Sequence, residues 1–259
     1  MRNSYAVITG ASSGIGAEFA RRLAGEGYPL ILVARRRNRL EELAEEIEKQ
    51  GVEASIITAD LSRKEECYRL MEKLQGTRIG VFINNAGFGE CGAFLETNVE
   101  RELEMVDVNV KALHLLMKLV LQKMKLQGGG YLLNVASSAG LIPAGPYMAT
   151  YYATKSYVAS LTRAVAQELK DQGSNVYVGA LCPGPVDTEF NSVAHVEFAL
   201  PGISVETCVD SAITGMKKRK VVIVPTVLMK TATTLGRFLP QKLYIQITGH
   251  QQKKKMEKK

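Results

Sequence analysis

The chain has 259 residues, 46% of them hydrophobic and 23% charged, enough to bury a large core in one α/β domain. Its net charge of +7 does not describe a nucleic-acid surface, because residues 250–259 alone hold five lysines against one glutamate. Apolar patterning begins at Tyr5 and no apolar run approaches the roughly 20 residues of a membrane-spanning helix, so neither a secretion signal nor a spanning anchor is expected, and a cytoplasmic protein is.

Short apolar or β-branched runs alternate with longer helical patterns, the signature of βαβ units and a parallel sheet covered on both faces. Strands are predicted at Tyr5 to Thr9, Pro29 to Ala34, Glu53 to Thr58, Gly80 to Asn84, Gly130 to Ala136, Asn175 to Cys182 and Val221 to Val224. Helices fall between them at Ile15 to Gly25, Arg39 to Gln50, Ser62 to Gln75, Val99 to Leu126, Thr150 to Gln172 and Val205 to Lys217. The expected fold is a Rossmann-type, doubly wound α/β domain with a seven-stranded parallel sheet, occupying residues 1–249.

Two stretches break this rhythm. Gly184 to Ile203 has no core period and is expected to be a lid at a strand's carboxyl end. Thr226 to Gly249 reads as a helix or arm packed on the core or on another subunit, in preference to a peripheral membrane contact, and residues 250–259 as a disordered basic tail. Cysteines and histidines are scattered without metal-ligand spacing, so no metal is expected.

The chemistry-bearing residues follow the strands. After the first strand comes Thr9-Gly10-Ala11-Ser12-Ser13-Gly14-Ile15-Gly16, where missing side chains let backbone N–H groups approach an anion at a helix start, so a pyrophosphate is expected there. Its spacing differs from the G-x-G-x-x-G fingerprint. The second strand ends in Val33-Ala34-Arg35-Arg36-Arg37, where an acidic residue would favour a free ribose hydroxyl. Arg35 is placed to meet a 2′-phosphate, with Arg36 or Arg37 assisting, and NADP(H) is the expected cofactor. Asp60 is open to two readings, contact with an adenine amino group or capping of the helix from Ser62. Tyr151 and Lys155 stand four residues apart on one helix face, so the ammonium is expected to pull the phenol down from its usual value of about 10.

In order along the chain, T-G-x-x-x-G-x-G, Asn84-Asn85-Ala86-Gly87, Asn109, Ser138, Tyr151-x-x-x-Lys155 and Pro183-Gly184 resemble the short-chain dehydrogenase/reductase family, in its branch of roughly 250 residues. The resemblance implies that Tyr151 is the general acid/base, Lys155 its electrostatic partner and a ribose ligand, Ser138 the group holding the substrate oxygen, and Asn109 the anchor of a proton-leading water. Family spacing selects Ser138 and Tyr151 over the neighbouring Ser137 and Tyr152. Cofactor contacts are implied for Gly10, Ser12, Ser13, Gly14, Ile15 and Gly16, for Arg35, Arg36, Asp60 and Leu61, for Asn85, Ala86 and Gly87, and for Pro183, Gly184, Val186 and Thr188 beside Tyr151 and Lys155. The implied activity is reduction of an apolar carbonyl compound, of ketone, steroid or fatty-acyl type, with a 3-oxoacyl-thioester reductase and a non-catalytic NADP sensor as alternatives. Presumed pocket walls are Phe88, Gly89, Phe94, Leu141, Ile142, Tyr147, Met148, Phe190, Val193 and Phe198. The helices from Val99 and Thr150 resemble the family's subunit-pairing helices, which implies a homodimer or homotetramer.

Overall fold

The computed structural model describes residues 4–190, 194 and 202–256. Its strands are β1 (Tyr5–Thr9), β2 (Leu30–Ala34), β3 (Ala54–Thr58), β4 (Ile79–Asn84), β5 (Gly130–Val135), β6 (Val176–Leu181) and β7 (Val222–Ile223), each within a residue of its predicted bounds. All pair in parallel, in the order β3-β2-β1-β4-β5-β6-β7. The helices are α1 (Gly14–Gly25), α2 (Arg37–Glu48), α3 (Lys64–Lys73), α4 (Val99–Val106), α5 (Leu113–Leu126), α6 (Ala149–Asp171), α7 (Val205–Lys217), α8 (Val227–Leu235) and α9 (Gln241–Met256).

Burial on both faces explains the unbroken apolar strands: all five residues of β2 are buried. Helices α1, α2 and α7 cover one face, and α3, α5 and α6 the other. Among the described residues no helix is long and apolar enough to cross a membrane. Strands β1 and β4 are neighbours although not consecutive, so the chain leaves β1 toward one edge and returns at β4 toward the other. Their carboxyl ends open a crevice at this switch point, where ligands of such sheets bind.

Two features depart from the sequence expectation. The single helix predicted from Val99 to Leu126 is divided by a π-helical turn, Asp107–Ala112. This wide turn carries Asn109, whose fully buried amide works sideways off the helix, accepting from Phe88 N at 3.1 Å and donating to Phe88 O at 2.9 Å and Thr154 Oγ1 at 3.2 Å. The second correction concerns the basic tail: residues 250–256 are the last turns of α9 and not a loose end. Thr248, Gly249 and Gln252 are buried, and Gln252 Nε2 donates to Tyr152 Oη at 2.6 Å, which ties the helix end to the domain.

A buried polar network joins the layers behind the crevice. Asn84 Nδ2 donates to Leu113 O (3.0 Å) and Asn134 Oδ1 (3.2 Å), and Asn134 Nδ2 donates to Thr162 Oγ1 (2.9 Å), linking β4, β5, α5 and α6. Replacing one member leaves its partners poorly satisfied in a dry setting, so Asn134→Leu is predicted to cost about 1–3 kcal/mol. Urea unfolding followed by circular dichroism checks this; an unchanged midpoint would show the network to be dispensable.

Candidate active site

The crevice is a cleft of about 640 Å³ running from the turn after β1 to the N-terminal end of α6. Thr9 ends β1 and fixes the turn: its Oγ1 accepts from Asn85 N at 2.9 Å and Ala86 N at 3.1 Å, while Asn85 Nδ2 donates to Thr9 O and Gly10 O. The strand tips on either side of the switch point are thereby clamped together. Gly10 (φ 65°) and Gly14 (φ 52°) take the left-handed backbone that L side chains avoid. A side chain at Gly16 would run into the Gly10 carbonyl and the Asn85 amide, so the turn closes only with glycine there. Ser13 is the N-cap of α1 without a side-chain cap bond, leaving a helix N-terminus aimed into the cleft and suited to a pyrophosphate.

Of the three arginines after β2, Arg35 and Arg36 line the cleft. Arg36 reaches across the glycine turn, with Nη2 on Ser13 Oγ at 2.8 Å and on Ser12 Oγ at 3.0 Å, and with Nη1 and Nη2 each 3.0 Å from Glu189 Oε2. Its guanidinium holds the Glu189 carboxyl below the usual carboxylate range. Arg35 pairs with Glu104 of α4 at 2.9 Å. Asp60 accepts from Ser62 N at 3.1 Å and Ser62 Oγ at 2.8 Å, a local turn ahead of the N-cap Arg63 of α3, while lining the cleft beside Leu61.

At the other end, Tyr151 and Lys155 share the first turns of α6 and are 9% and 5% exposed. Lys155 Nζ donates to Val135 O at 2.9 Å and stands 5.8 Å from the centre of the Tyr151 ring. Burial pushes the ammonium down to about 8 and the phenol up to about 12, with the Ser137 hydroxyl opposing the upward shift. The expected lowering of the phenol is therefore reversed in this structure. Desolvation is the largest influence on the phenol, and the ammonium hydrogen-bonds a strand carbonyl. Thr154 Oγ1 donates to Tyr151 O at 2.8 Å and accepts from Asn109, so the π turn braces the start of α6. Asn109 and Gly16 stand just behind the cleft lining; the other candidate site residues border the cleft directly.

The doubled serine resolves differently from the spacing argument. Ser137, two residues beyond β5, hydrogen-bonds the Tyr151 phenol, while its Oγ also accepts from Ala139 N at 3.1 Å. Ser138 is 8% exposed and its backbone N–H bonds Pro183 O at 2.7 Å. Counting residues back from Tyr151 assumes a loop of fixed length between the serine and the helix.

Phe88, Ile142, Met148 and Phe190 form apolar walls, with the Phe190 ring 5.5 Å from that of Tyr151 and Gly89 beneath it. Phe94 is instead 63% exposed, Leu141 faces a separate, shallower cavity, and Tyr147 stays outside the cleft lining. Val193 and Phe198 lie outside the described residues, as does half of the lid; its base is closed by pairing of Val186 with Ile203. Sequence reading missed Met229, His250, Gln251 and Gln252, which border the cleft from α8 and α9. No local motif marks them, because chain reversal after β7 brings them there.

A cradle for pyrophosphate at one end and a hydroxyl pair beside a buried amine at the other are the parts of an enzyme that moves hydride between a nicotinamide and a carbonyl or its alcohol. The family described as short chain dehydrogenase matches residues 4–196, and the chain belongs to it. It is an oxidoreductase of a family that binds nicotinamide cofactors and acts on CH–OH and ketone groups. It is 32% identical over 216 residues to a very-long-chain 3-oxoacyl-CoA reductase of Anas platyrhynchos, covering 81% of this chain and 68% of the relative. Among solved structures it resembles a short-chain dehydrogenase from Sphingobium yanoikuyae in complex with NADPH (TM-score 0.81, 33% identity, 92% of this chain and 97% of that one). A bulky-bulky ketone specific alcohol dehydrogenase from Comamonas testosteroni is similar over 93% and 96% of the two chains (TM-score 0.77, 31% identity).

The buried amine has a stability consequence. Below pH 8 Lys155 is charged folded and unfolded, and its burial penalty is complete; above about 10.5 it is neutral in both states and the penalty is gone. In between, the unfolded chain binds the extra proton, so wild-type stability should rise with pH relative to Lys155→Met. Parallel urea titrations at pH 7 and pH 10 measure the gap, and a gap that does not move with pH would contradict the burial account.

Proposed function

We propose that the protein is an NADP(H)-dependent reductase of apolar ketones. The observation that supports this reading most is the convergence of the Ser137 and Tyr151 hydroxyls in one apolar-walled cleft with the glycine turn and Arg36. The nicotinamide, when bound, supplies hydride to the carbonyl carbon. The chain's own residues handle the oxygen. Ser137 and Tyr151 donate hydrogen bonds to it, stabilising the negative charge that develops, and the phenol then gives up its proton to form the secondary alcohol. A phenol held protonated by burial suits this acid role. The Lys155 ammonium lies above the ring, where it favours the resulting phenolate. Asn109 positions Phe88 and, through Thr154, the backbone of Tyr151.

A 3-oxoacyl thioester is the second reading, supported by the likeness to the reductase of that name and by the lysines beyond residue 252, which would attract an acidic carrier or coenzyme. A panel of ketones and 3-oxoacyl thioesters with NADPH discriminates them by kcat/KM.

Two substitutions test the site. Ser137→Ala and Tyr151→Phe should each lower kcat by about 10²–10⁴-fold, whereas Ser138→Ala should change it less than about threefold. The reverse order of the two serines would return the role to Ser138. Arg36→Ala should weaken NADPH binding by about 10–100-fold and NADH binding little, read by nucleotide fluorescence, since a charged hydrogen bond contributes about 1.5–3 kcal/mol. Equal loss for both nucleotides would contradict a 2′-phosphate contact.

A further inference from the structure

Charge and apolar exposure coincide on the C-terminal arm. Up to Val224 the chain has 25 Lys and Arg against 25 Asp and Glu, so the entire net charge of +7 belongs to residues 225–259. From Pro225 to Met256 there is no acidic residue, and six cations: Lys230, Arg237, Lys242, Lys253, Lys254 and Lys255. Seven of the fifteen large apolar side chains exposed among the described residues lie in the same stretch, between Val227 and Ile247. Leu228, Leu235 and Phe238 are 68%, 60% and 84% exposed, and Leu243 and Ile247 follow one turn apart on α9. The inner side of α9 is already used, by Thr248, Gly249 and Gln252 against the domain. The arm packs on the domain through its inner side, as expected from sequence, and the outward apolar side chains are surplus to that contact.

We propose that α8, the turn after it and the outer side of α9 form a docking face for an anionic lipid bilayer. A second copy of the chain fits poorly: a two-fold contact through this face would bring two copies of the same cationic stretch together, with no acidic residue between Pro225 and Met256 to pair Lys230, Arg237 and Lys242. Nucleic acid offers nothing to aliphatic side chains such as Leu228 and Leu235. A bilayer of anionic headgroups over acyl chains satisfies both halves of the pattern, cations at the headgroups and apolar side chains below them. The same two helices border the cleft through Met229 and His250, so a docked molecule would present its cleft at the lipid surface, where apolar compounds concentrate.

Co-sedimentation of the full chain with vesicles tests this. Binding is expected to vesicles of phosphatidylcholine containing about 30% phosphatidylglycerol and not to phosphatidylcholine alone. The triple variant Leu235→Ser, Phe238→Ser and Leu243→Ser should bind at least about tenfold more weakly while melting like the wild type by circular dichroism. The proposal is overturned if the wild type ignores the anionic vesicles, or if the variant binds them equally, which would leave only the basic tail at work. It also fails if the wild type is an oligomer that this variant splits into monomers, because a second copy would then own the face.

Discussion

Taking a phenol and an amine out of water at the same place is the constraint around which the rest of the molecule is arranged. Tyr151 and Lys155 are buried, and each is pushed toward its uncharged form. Such a pair is tolerated only where fixed dipoles replace the lost water. The Val135 carbonyl does this for the ammonium, and the Ser137 hydroxyl for the phenol. Val135 is the last residue of β5 and Ser137 follows two residues later, so one strand end supplies both. Asn109 reaches the same helix from the other side through Thr154, and the π turn is the backbone form that lets it do so.

The other half of the cleft depends on how closely two strand tips can approach. Thr9 and Asn85 fasten β1 to β4 by side-chain bonds to backbone, and Gly16 is what allows α1 to start beside that junction. The N-terminus of α1 and the guanidinium of Arg36 then face the same space. Here the sheet topology converts into chemistry, since only at the reversal of strand order do adjacent loops lead away from each other.

Much of this was legible in the residues because it is local. A glycine turn between an apolar strand and a helix, or a Tyr and a Lys one turn apart, announces itself within eight residues. Strand bounds were legible because strands buried on both faces read as unbroken apolar runs ending at turn residues. What failed was what depends on path. The Ser137 hydroxyl, one residue before the serine that spacing selects, is the one that bonds the phenol, and the π turn leaves no mark in an apolar helical pattern. The lysine-rich end looked unstructured by composition, yet the buried Gln252 and Thr248 hold α9 in place and bring His250 to the cleft. Phe94, Leu141 and Tyr147 were named as walls because apolar residues near a motif look alike in sequence, whereas backbone direction decides which of them face inward.

The central claim is that a carbonyl oxygen held by the Tyr151 phenol receives its proton there while its carbon takes hydride from a reduced nicotinamide. Mass spectrometry of the alcohol formed from a bulky ketone and NADPH deuterated at the nicotinamide C4 tests this most directly. The account predicts a single deuterium on the carbinol carbon with wild-type enzyme and no product above background with Tyr151→Phe. An unlabelled alcohol, or labelled alcohol formed equally fast without the phenol, would contradict it.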